Sequence, residues 1–378
     1  MERDQASKFV NDLLKLLVSR NGSDLFLTAE FPPAIKVDGQ VTKVSPQPLT
    51  GQHTQSLARA IMNDKQAAEF ERTKECNFAI APSGIGRFRV NAFVQMGQVG
   101  LVLRTIPAKI PTVDELGLPP VLKNVALAKR GICILVGGTG SGKSTTLAAM
   151  VDWRNENTND HIVTIEDPVE FVHHHKNCII TQREVGLDTD NWEIALKNTL
   201  RQAPNVILMG EIRDRETMEH AIAFSETGHL CMATLHANSA NQAMERIINF
   251  FPQERHAQML KDVSLNIKGL IAQRLLPRQD GKGRVAIVEV LLHSGLIADQ
   301  IMKGEIGEIK ETMKKSREVG MQTFDQALFD AFEANIISFE EAIRNADSQN
   351  DLKLAIKLNS KRARTADLSA GTEHLTIV

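Results

Sequence analysis

A glycine-rich segment in the middle of the chain constrains the fold more than any other feature of the sequence. Residues 134–146 read ILVGGTGSGKSTT, which is an apolar run, then a run of glycines, then a lysine and hydroxyl side chains at the start of a helical pattern. The segment satisfies G-x-x-x-x-G-K-[ST] between a strand and a helix, the setting in which such a loop wraps around phosphate groups. The surrounding domain must therefore be built from strands and helices that alternate around this unit.

The sequence downstream of residue 130 has this alternation. Apolar runs predict strands at 132–136, 161–167, 206–211 and 230–235, and helical spacing predicts helices at 143–154, 191–202 and 214–226. Beyond residue 240 the pattern is mainly helical, with one strand at 284–292 and predicted helices at 240–248, 253–274, 296–302, 305–317, 322–334 and 338–345. The alternation predicts an α/β domain whose parallel sheet binds its ligand at the carboxyl ends of the strands.

The sequence before residue 107 follows a different pattern. It predicts an amphipathic helix at 5–18, further helix at about 52–73, and strands at 23–28, 33–44 with a turn at Asp38–Gly39, 86–95 and 99–106. Prolines then interrupt the pattern. We predict a small α+β domain at 1–106, a linker at 107–112, an α/β domain at 113–359 and, where periodicity is lost, a flexible tail at 360–378.

Composition and charge exclude several classes of protein. The 44 basic and 46 acidic side chains leave a net charge of −2, which does not favour nucleic acid as a partner. No apolar run reaches the roughly 18 residues of a membrane span, and no secretory leader is recognisable. The 4 cysteines are far apart, without the spacing of a zinc site or a disulfide framework. We therefore expect a cytoplasmic globular protein that does not insert into a membrane.

The glycine-rich loop is the predicted nucleotide site. Its glycines allow backbone N–H groups and the helix N-terminus to point at a β-phosphate. Lys143 would add a positive charge at the β- and γ-phosphate oxygens, and the Ser144 hydroxyl would ligate Mg²⁺. The residues predicted to bind ATP are Gly137, Gly138, Thr139, Gly140, Ser141, Gly142, Lys143, Ser144 and Thr145.

Acidic side chains follow two of the predicted strands. Glu211 ends the strand VILMGE at 206–211, where it would polarise the water that attacks the γ-phosphate, and capping of the following helix is the alternative explanation. The residue before it is Gly210, whereas the usual second nucleotide motif has an aspartate there. Glu166 and Asp167 in TIEDPVE would supply the missing carboxylate near the metal, and turn formation is the alternative explanation for this acidic pair.

Histidines flank the fourth predicted strand of the α/β domain. His229 and His236 stand on either side of LCMATL, where one of them would donate an N–H to the γ-phosphate or serve only as a structural residue. The run HHH at 173–175 is predicted to be a solvated loop, because no further ligands complete a zinc site.

Arginines in the first domain are candidates for stabilising the charge of the transition state. Arg87 and Arg89 occupy alternate positions of one predicted strand and so project from one face, and Arg104 lies on the next strand. In the second domain, Arg201 and Arg213 are nearer the acidic strand end. Ordinary surface arginines are the alternative at each position.

The ordered set SDLFLT, GRFRVN, GGTGSGKS, TIEDPVE, VILMGEIRD and TGHLCMATLHANSA closely resembles the secretion-type ATPases that drive type IV pili. The resemblance covers roughly residues 1 to 350. The absence of a four-cysteine zinc module is typical of the pilus-retraction branch, and the segment at 303–332 is most similar to the accessory retraction ATPases.

This resemblance implies a fold, a set of partners and an activity. It implies a PAS-like domain followed by a RecA-like P-loop domain, Mg²⁺-dependent ATP hydrolysis, and a homo-hexameric ring that drives pilus retraction and twitching motility. The implied partners are a paralogous retraction ATPase and the platform protein of the inner membrane, at which the ring would associate peripherally from the cytoplasm.

The resemblance also implies roles for single residues. TIEDPVE matches the family's Asp box, with Glu166 and Asp167 near metal and phosphates, and VILMGE matches its Walker B strand, with Glu211 as the catalytic carboxylate. TGHLCMATLH matches the His box, with His229 and His236 near the γ-phosphate. Arg87, Arg89 and Arg104 would then approach the nucleotide when the two domains close.

The chain departs from the family pattern at two places. Ala203-Pro204-Asn205 stands where Asp-Pro-Asp is frequent, and Lys197 stands where a second arginine is frequent. These departures leave open a second interpretation, a ring that binds ATP with little hydrolysis and couples to a partner motor. A DNA-translocating ATPase is disfavoured by the near-neutral charge and the 4% aromatic content.

Overall fold

The structure is a computed structural model that describes residues 2–37, 39–107 and 109–362. Asp38 of the predicted hairpin turn and residues 363–378 of the predicted tail lie outside the described residues. The chain divides into two compact units between Lys109 and Ile110. Among the described residues, no helix combines the length and apolarity that a membrane crossing requires.

The first unit is an antiparallel sheet with three helices. In chain order its elements are α1 (Arg3–Ser19), β1 (Asp24–Leu27), β2 (Ala34–Val37), β3 (Gln40–Lys43), α2 (Gly51–Ile61), α3 (Asp64–Thr73), β4 (Glu75–Ile80), β5 (Arg87–Gln95) and β6 (Gln98–Ile106). The strand order is β3-β2-β1-β6-β5-β4, and each neighbouring pair is antiparallel. Helix α1 is amphipathic, as the sequence predicts, and its buried face includes Val10, Leu13, Leu14 and Leu17.

The second unit begins with the predicted strand-loop-helix alternation. Its first elements are α4 (Val121–Ala126), β7 (Gly131–Val136), α5 (Lys143–Asn157), β8 (His161–Glu166), β9 (Ile179–Glu184), α6 (Trp192–Thr199), β10 (Val206–Met209), α7 (Arg215–Glu226) and β11 (Leu230–Leu235). Strands β7, β10 and β11 are buried along their whole length, as expected for parallel strands covered by helices on both faces.

The remainder of the unit adds two strands and a helical region. Its elements are α8 (Ala240–Asn249), α9 (His256–Asn266), β12 (Ile267–Pro277), β13 (Arg284–Leu292), α10 (Gly295–Lys303), α11 (Ile309–Lys315), α12 (Phe324–Glu333), α13 (Phe339–Arg344) and α14 (Gln349–Asn359). The strand order of this sheet is β13-β12-β7-β11-β10-β8-β9, and of its described strand pairs only β12–β13 is antiparallel. The predicted α/β fold with a parallel sheet is confirmed.

Two predictions about the second unit need correction. The helix predicted at 253–274 ends at Asn266, and the chain continues as strand β12 beside β7. The tail predicted to begin at 360 is ordered at its start, because the Ser360 hydroxyl and the Lys361 N–H donate to Glu333 and the Arg362 guanidinium lies over the Phe332 ring.

Candidate functional site

The glycine-rich loop connects the carboxyl end of β7 to the start of α5. Gly142 precedes the helix with φ of 87°, a left-handed conformation that favours glycine. The Lys143 ammonium donates to the carbonyls of Gly137 and Gly138 at 2.8 and 3.0 Å. Burial lowers the pKa of Lys143, and the nearby Glu211 and Glu170 oppose that shift. The lysine is therefore a buried cation that donates to loop carbonyls.

A cavity of about 450 Å³ opens in front of this loop within the second unit. The carboxyl ends of β7, β8, β10 and β11 all meet there, as expected for a ligand site on a parallel sheet. Most residues of the loop line the cavity. Residues from other segments also line it, among them Glu166, Asp167, Glu170, Phe171, His173, Trp192, Glu211, Arg213, His236, Leu275 and Arg284.

Glu211 lies on this edge, two residues beyond the end of β10. One carboxylate oxygen accepts from the Arg213 Nε at 3.0 Å, and the other lies 3.4 Å from the His236 Nε2. Its side chain keeps 24% of its exposure, so a water molecule has access to it. The structure therefore brings Glu211 and His236 together at the cavity, as the sequence predicts.

Arg213 links the two acidic segments of the site. Besides its bond to Glu211, its guanidinium lies 3.6 Å from the Asp167 carboxylate. The guanidinium carbon lies 5.6 Å from the ring centroid of Trp192, within the range of a cation–π contact. Arg213 thus contacts both carboxylates at the cavity edge, and its place beside the acidic strand end agrees with the sequence.

Glu166 is the last residue of β8 and is more enclosed than Asp167. Its Oε1 accepts from the Thr164 hydroxyl at 2.7 Å and from the Gln182 amide at 3.1 Å. Burial raises the pKa of Glu166, and the two hydrogen bonds partly offset that shift. Asp167 keeps 40% of its side-chain exposure, which makes it the more accessible ligand of this pair.

His229 does not join this site within the chain. Its carbonyl accepts from the Gly131 N–H, so it lies at the amino ends of β7 and β11, whereas the loop follows their carboxyl ends. A strand of six residues is about 20 Å long. The prediction that His229 lies near the γ-phosphate is therefore wrong for the phosphate loop of its own chain, because β11 separates the two histidines.

The run of three histidines matches the predicted solvated loop only in part. His173 is 8% exposed and lines the cavity, and the His175 Nδ1 accepts from the Ile180 N–H. Burial lowers the pKa of His173 to about 4. His174 and His175 are exposed, so of the three side chains only His173 is enclosed by the protein.

The three predicted arginines lie in the first unit. Arg87 and Arg89 are on β5, and Arg89 pairs directly with Arg104 of β6, so all three are on one face of the sheet. The Arg104 Nε donates to the buried Asp24 carboxylate at 2.9 Å. Their approach to a nucleotide stays a prediction.

Asn205, one of the departures from the family pattern, has a local structural role. Its side-chain oxygen accepts from the His161 N–H at 2.8 Å, and its carbonyl accepts from the Leu230 N–H at 3.2 Å. These contacts join the amino ends of β8 and β11, opposite the cavity. The asparagine therefore leaves the carboxylates of the site unaffected.

Gln273 is a further residue that the sequence analysis missed. It lies on β12, 3% exposed, and its side chain bonds both the phosphate loop and α5. The sequence predicts a helix over 253–274, and a helix there gives no reason to place Gln273 beside the phosphate loop.

Comparison with known proteins places this site in a family. Residues 2–344 match the family model described as "Type II/IV secretion system protein". The chain is 57% identical to the type IV pilus ATPase PilU of Pseudomonas aeruginosa, over 97% of this chain and 95% of that protein. It is 41% identical to the type IV pilus retraction ATPase PilT of the same organism, over 89% and 98%.

A solved structure is similar along nearly the whole chain. The crystal structure of the pilus retraction motor PilT with bound ADP superposes with a TM-score of 0.86 at 37% identity, covering 91% of this chain and 99% of that one.

Proposed function

The chain belongs to the type II/IV secretion system protein family and is an ATPase, and we propose that it drives retraction of type IV pili. The similarity to PilU and PilT supports retraction in preference to pilus assembly. The observation that carries the proposal is the carboxylate of Glu211, held by Arg213 and His236 at the cavity that the phosphate loop lines.

The loop would hold the phosphates of ATP. Backbone N–H groups of residues 137–142 and the first turn of α5 supply donors for the β-phosphate. The Lys143 ammonium would exchange its bonds to the carbonyls of Gly137 and Gly138 for bonds to phosphate oxygens. Because those carbonyls are weaker partners than an anion, nucleotide binding would draw the lysine into the cavity.

The residues of the site fit a magnesium ion. Ser144 and Asp167 offer hard oxygen ligands at the cavity, and Mg²⁺ is commonly held by one or two side-chain oxygens together with phosphates and water. The metal would neutralise charge on the phosphate oxygens during hydrolysis. The Arg213 ion pair involves one Asp167 oxygen, Oδ2, at 3.6 Å, and the second oxygen would serve the metal.

Hydrolysis would depend on groups of this chain around the γ-phosphate. Glu211 would orient the attacking water, and His236, beside that carboxylate, would donate an N–H to the γ-phosphate. Glu166 would support the metal and its waters from the end of β8. This arrangement favours a working enzyme over a ring that binds ATP with little hydrolysis.

The mechanical step would be closure of the two units on the nucleotide. Arg87, Arg89 and Arg104 would meet the charge of the transition state and separate after phosphate release. In a homo-hexameric ring, successive closures would act on a platform protein at the cytoplasmic side of the inner membrane, together with the paralogue PilT. Nucleic acid is not a proposed partner.

Pilus withdrawal in cells tests the proposal. We expect Lys143→Ala to slow withdrawal, because a loop without its cation binds ATP weakly, and the loss should be clearest under load or when the paralogue is limiting. The measurement is fibre withdrawal with the paralogue present and absent. Unchanged withdrawal in both backgrounds would contradict the proposed role.

Phosphate release by the purified protein tests the catalytic assignment separately. Glu211→Ala should bind ATP and release phosphate at least about a hundredfold more slowly than the wild type, as expected when a catalytic carboxylate is removed. Equal background rates in both proteins would show a nucleotide-binding ring instead of a motor.

A further inference from the structure

One buried amide of β12 lies directly against the phosphate loop. The Gln273 Nε2 donates to the carbonyl of Ser141 at 2.8 Å, and its Oε1 accepts from the Thr146 hydroxyl at 2.7 Å. Both hydrogen bonds are buried. A single side chain thereby joins the loop, the first turn of α5 and the strand that borders β7.

The bond to Ser141 sets the direction of a loop donor. In a trans peptide the carbonyl and the following N–H point in opposite directions. Because the Ser141 carbonyl points to Gln273, the Gly142 N–H points away from β12. The Gly142 carbonyl in turn accepts the Thr146 N–H at 3.0 Å, so the amide of Gln273 fixes both the last turn of the loop and the first turn of the helix.

Two glycines show how closely the loop approaches this residue. A Cβ on Gly137 would lie 2.7 Å from the Gln273 carbonyl oxygen, and a Cβ on Gly142 would lie 2.7 Å from its Nε2. Both distances are too short for a side chain. The first and the last glycine of the loop, Gly137 and Gly142, therefore both pack against Gln273.

The neighbours of Gln273 on β12 give no other reason for an amide. Leu270, Ile271 and Ala272 before it are fully buried and apolar. A buried amide costs free energy unless it is hydrogen-bonded, and an apolar side chain of similar size would pack there without that cost. Both side-chain bonds of Gln273 go to the nucleotide-binding segment, which points to a role in that segment.

We propose that Gln273 is a positioning residue that holds the phosphate loop in its nucleotide-binding shape before the nucleotide arrives. This inference rests on the proposed assignment of residues 137–145 to ATP. Because the loop is already formed, less conformational freedom is lost when phosphate binds. Gln273 would strengthen binding of ATP and ADP equally and leave the chemical step nearly unaffected.

The test compares Gln273→Met with the wild-type protein. Methionine keeps the volume and removes both hydrogen bonds. We expect the dissociation constant of magnesium-ADP and the KM for ATP each to rise roughly fivefold, the usual size for loss of a buried hydrogen bond, while kcat stays nearly the same. Isothermal titration calorimetry measures the first quantity and phosphate release the other two.

A second pair of variants tests the same contact if Gln273→Met does not fold. Thr146→Val removes the hydroxyl that donates to Gln273, whereas Thr146→Ser keeps a hydroxyl at this position. Thr146→Val should weaken ADP binding, and Thr146→Ser should bind ADP like the wild type. Where both sites can be changed together, the double variant should bind no more weakly than Gln273→Met alone, because the two side chains act through one contact.

A matched control distinguishes positioning from stability. Gln300 is a second buried glutamine of the same unit, and its amide oxygen accepts from the Thr312 hydroxyl at 3.1 Å. Gln300→Met should lower the melting temperature without changing ADP affinity.

The remaining outcomes separate this inference from the proposed function. ADP affinity that is lost in Lys143→Ala but unchanged in Gln273→Met and Thr146→Val would overturn the inference and leave the nucleotide site intact. Unchanged affinity in Lys143→Ala would overturn both. An equal loss of affinity in Gln300→Met would show a general effect of stability and would also overturn the inference.

Discussion

Gly210 shows how the site obtains its carboxylates without the aspartate of the usual second nucleotide motif. A Cβ at this position would lie 3.3 Å from the Ile165 carbonyl and 3.4 Å from the Trp192 ring, so β8 and α6 leave little room for a side chain. The same close approach brings Glu166 and Asp167 of the neighbouring segment to the cavity. The neighbouring strand end can therefore supply the acid that this strand lacks.

His173 predicts a dependence of stability on pH. Burial lowers its pKa from 6.5 to about 4, so between these values the unfolded chain binds a proton that the folded chain does not. Stability should therefore fall as the pH falls from 6.5 to about 4, by on the order of 3 kcal/mol over the full interval. His173→Gln should remove this part of the acid sensitivity.

The measurement is urea unfolding of the wild type and the variant over that pH range. His174→Gln is the matched control, because His174 is adjacent in sequence but exposed. The prediction fails if the difference in unfolding free energy between the wild type and His173→Gln stays constant with pH.

At the scale of elements, the start of β7 depends on a glycine. Gly131 has φ of 120°, and a Cβ there would lie 2.9 Å from the Asn266 carbonyl, where α9 ends and β12 begins. Gly131→Ala should combine backbone strain with a contact that the backbone must relieve, at a cost of about 2–4 kcal/mol. A thermal melt measures this cost as a lowered midpoint.

Gly281 provides the comparison in a turn between β12 and β13. It also has positive φ, 69°, but a Cβ there would have no neighbour within 4 Å. Gly281→Ala should cost only the backbone term, about 1 kcal/mol. Equal losses in the two variants would show that the contact at residue 131 contributes nothing.

The sequence predicts elements well where periodicity and length agree. Strands β7, β10 and β11 are short apolar runs between turn signals, and the structure has all three. Strand β12 was missed because IKGLIAQRLL directly continues the helical pattern of α9 without a proline or a long loop between them. A buried strand and a buried helix both have continuous apolar sequence, so only pairing with β7 distinguishes them.

The same limit applies to the site. A motif fixes what lies next in sequence, so the loop, Glu211 and His236 were predictable at the cavity. His229 was assigned to it because it shares a motif with His236, although a whole strand separates them. Gln273 and Trp192, and Arg213 in its contact with Asp167, act through contacts across strands and helices, and no local pattern contains that information.

At the scale of the whole molecule, the chain contains two units with separate cores. Residues of the first unit up to Leu103 form one buried apolar cluster, and two further clusters lie wholly in the second unit. The described nucleotide cavity is lined by the second unit alone. ATP binding should therefore depend mainly on the second unit, and any contribution of the first unit should appear in turnover.

Substitution of Arg89 tests whether the first unit contributes to turnover and not to nucleotide binding. Arg89 is exposed on β5, whereas Arg104 neutralises the buried Asp24, so truncation of Arg104 would also leave an uncompensated buried charge. If the first unit closes on the nucleotide, Arg89→Ala should lower kcat by roughly a hundredfold or more, since an arginine at a phosphoryl transition state contributes at least that much. ADP affinity should change little.

Arg72→Ala serves as the control, because Arg72 is an exposed arginine of α3 in the same unit. Phosphate release and ADP titration on the three proteins separate the possibilities. A loss of turnover confined to Arg89→Ala would establish that hydrolysis needs both units. Turnover unchanged in Arg89→Ala would instead mean that hydrolysis proceeds without this arginine, and would contradict its proposed role at the transition state.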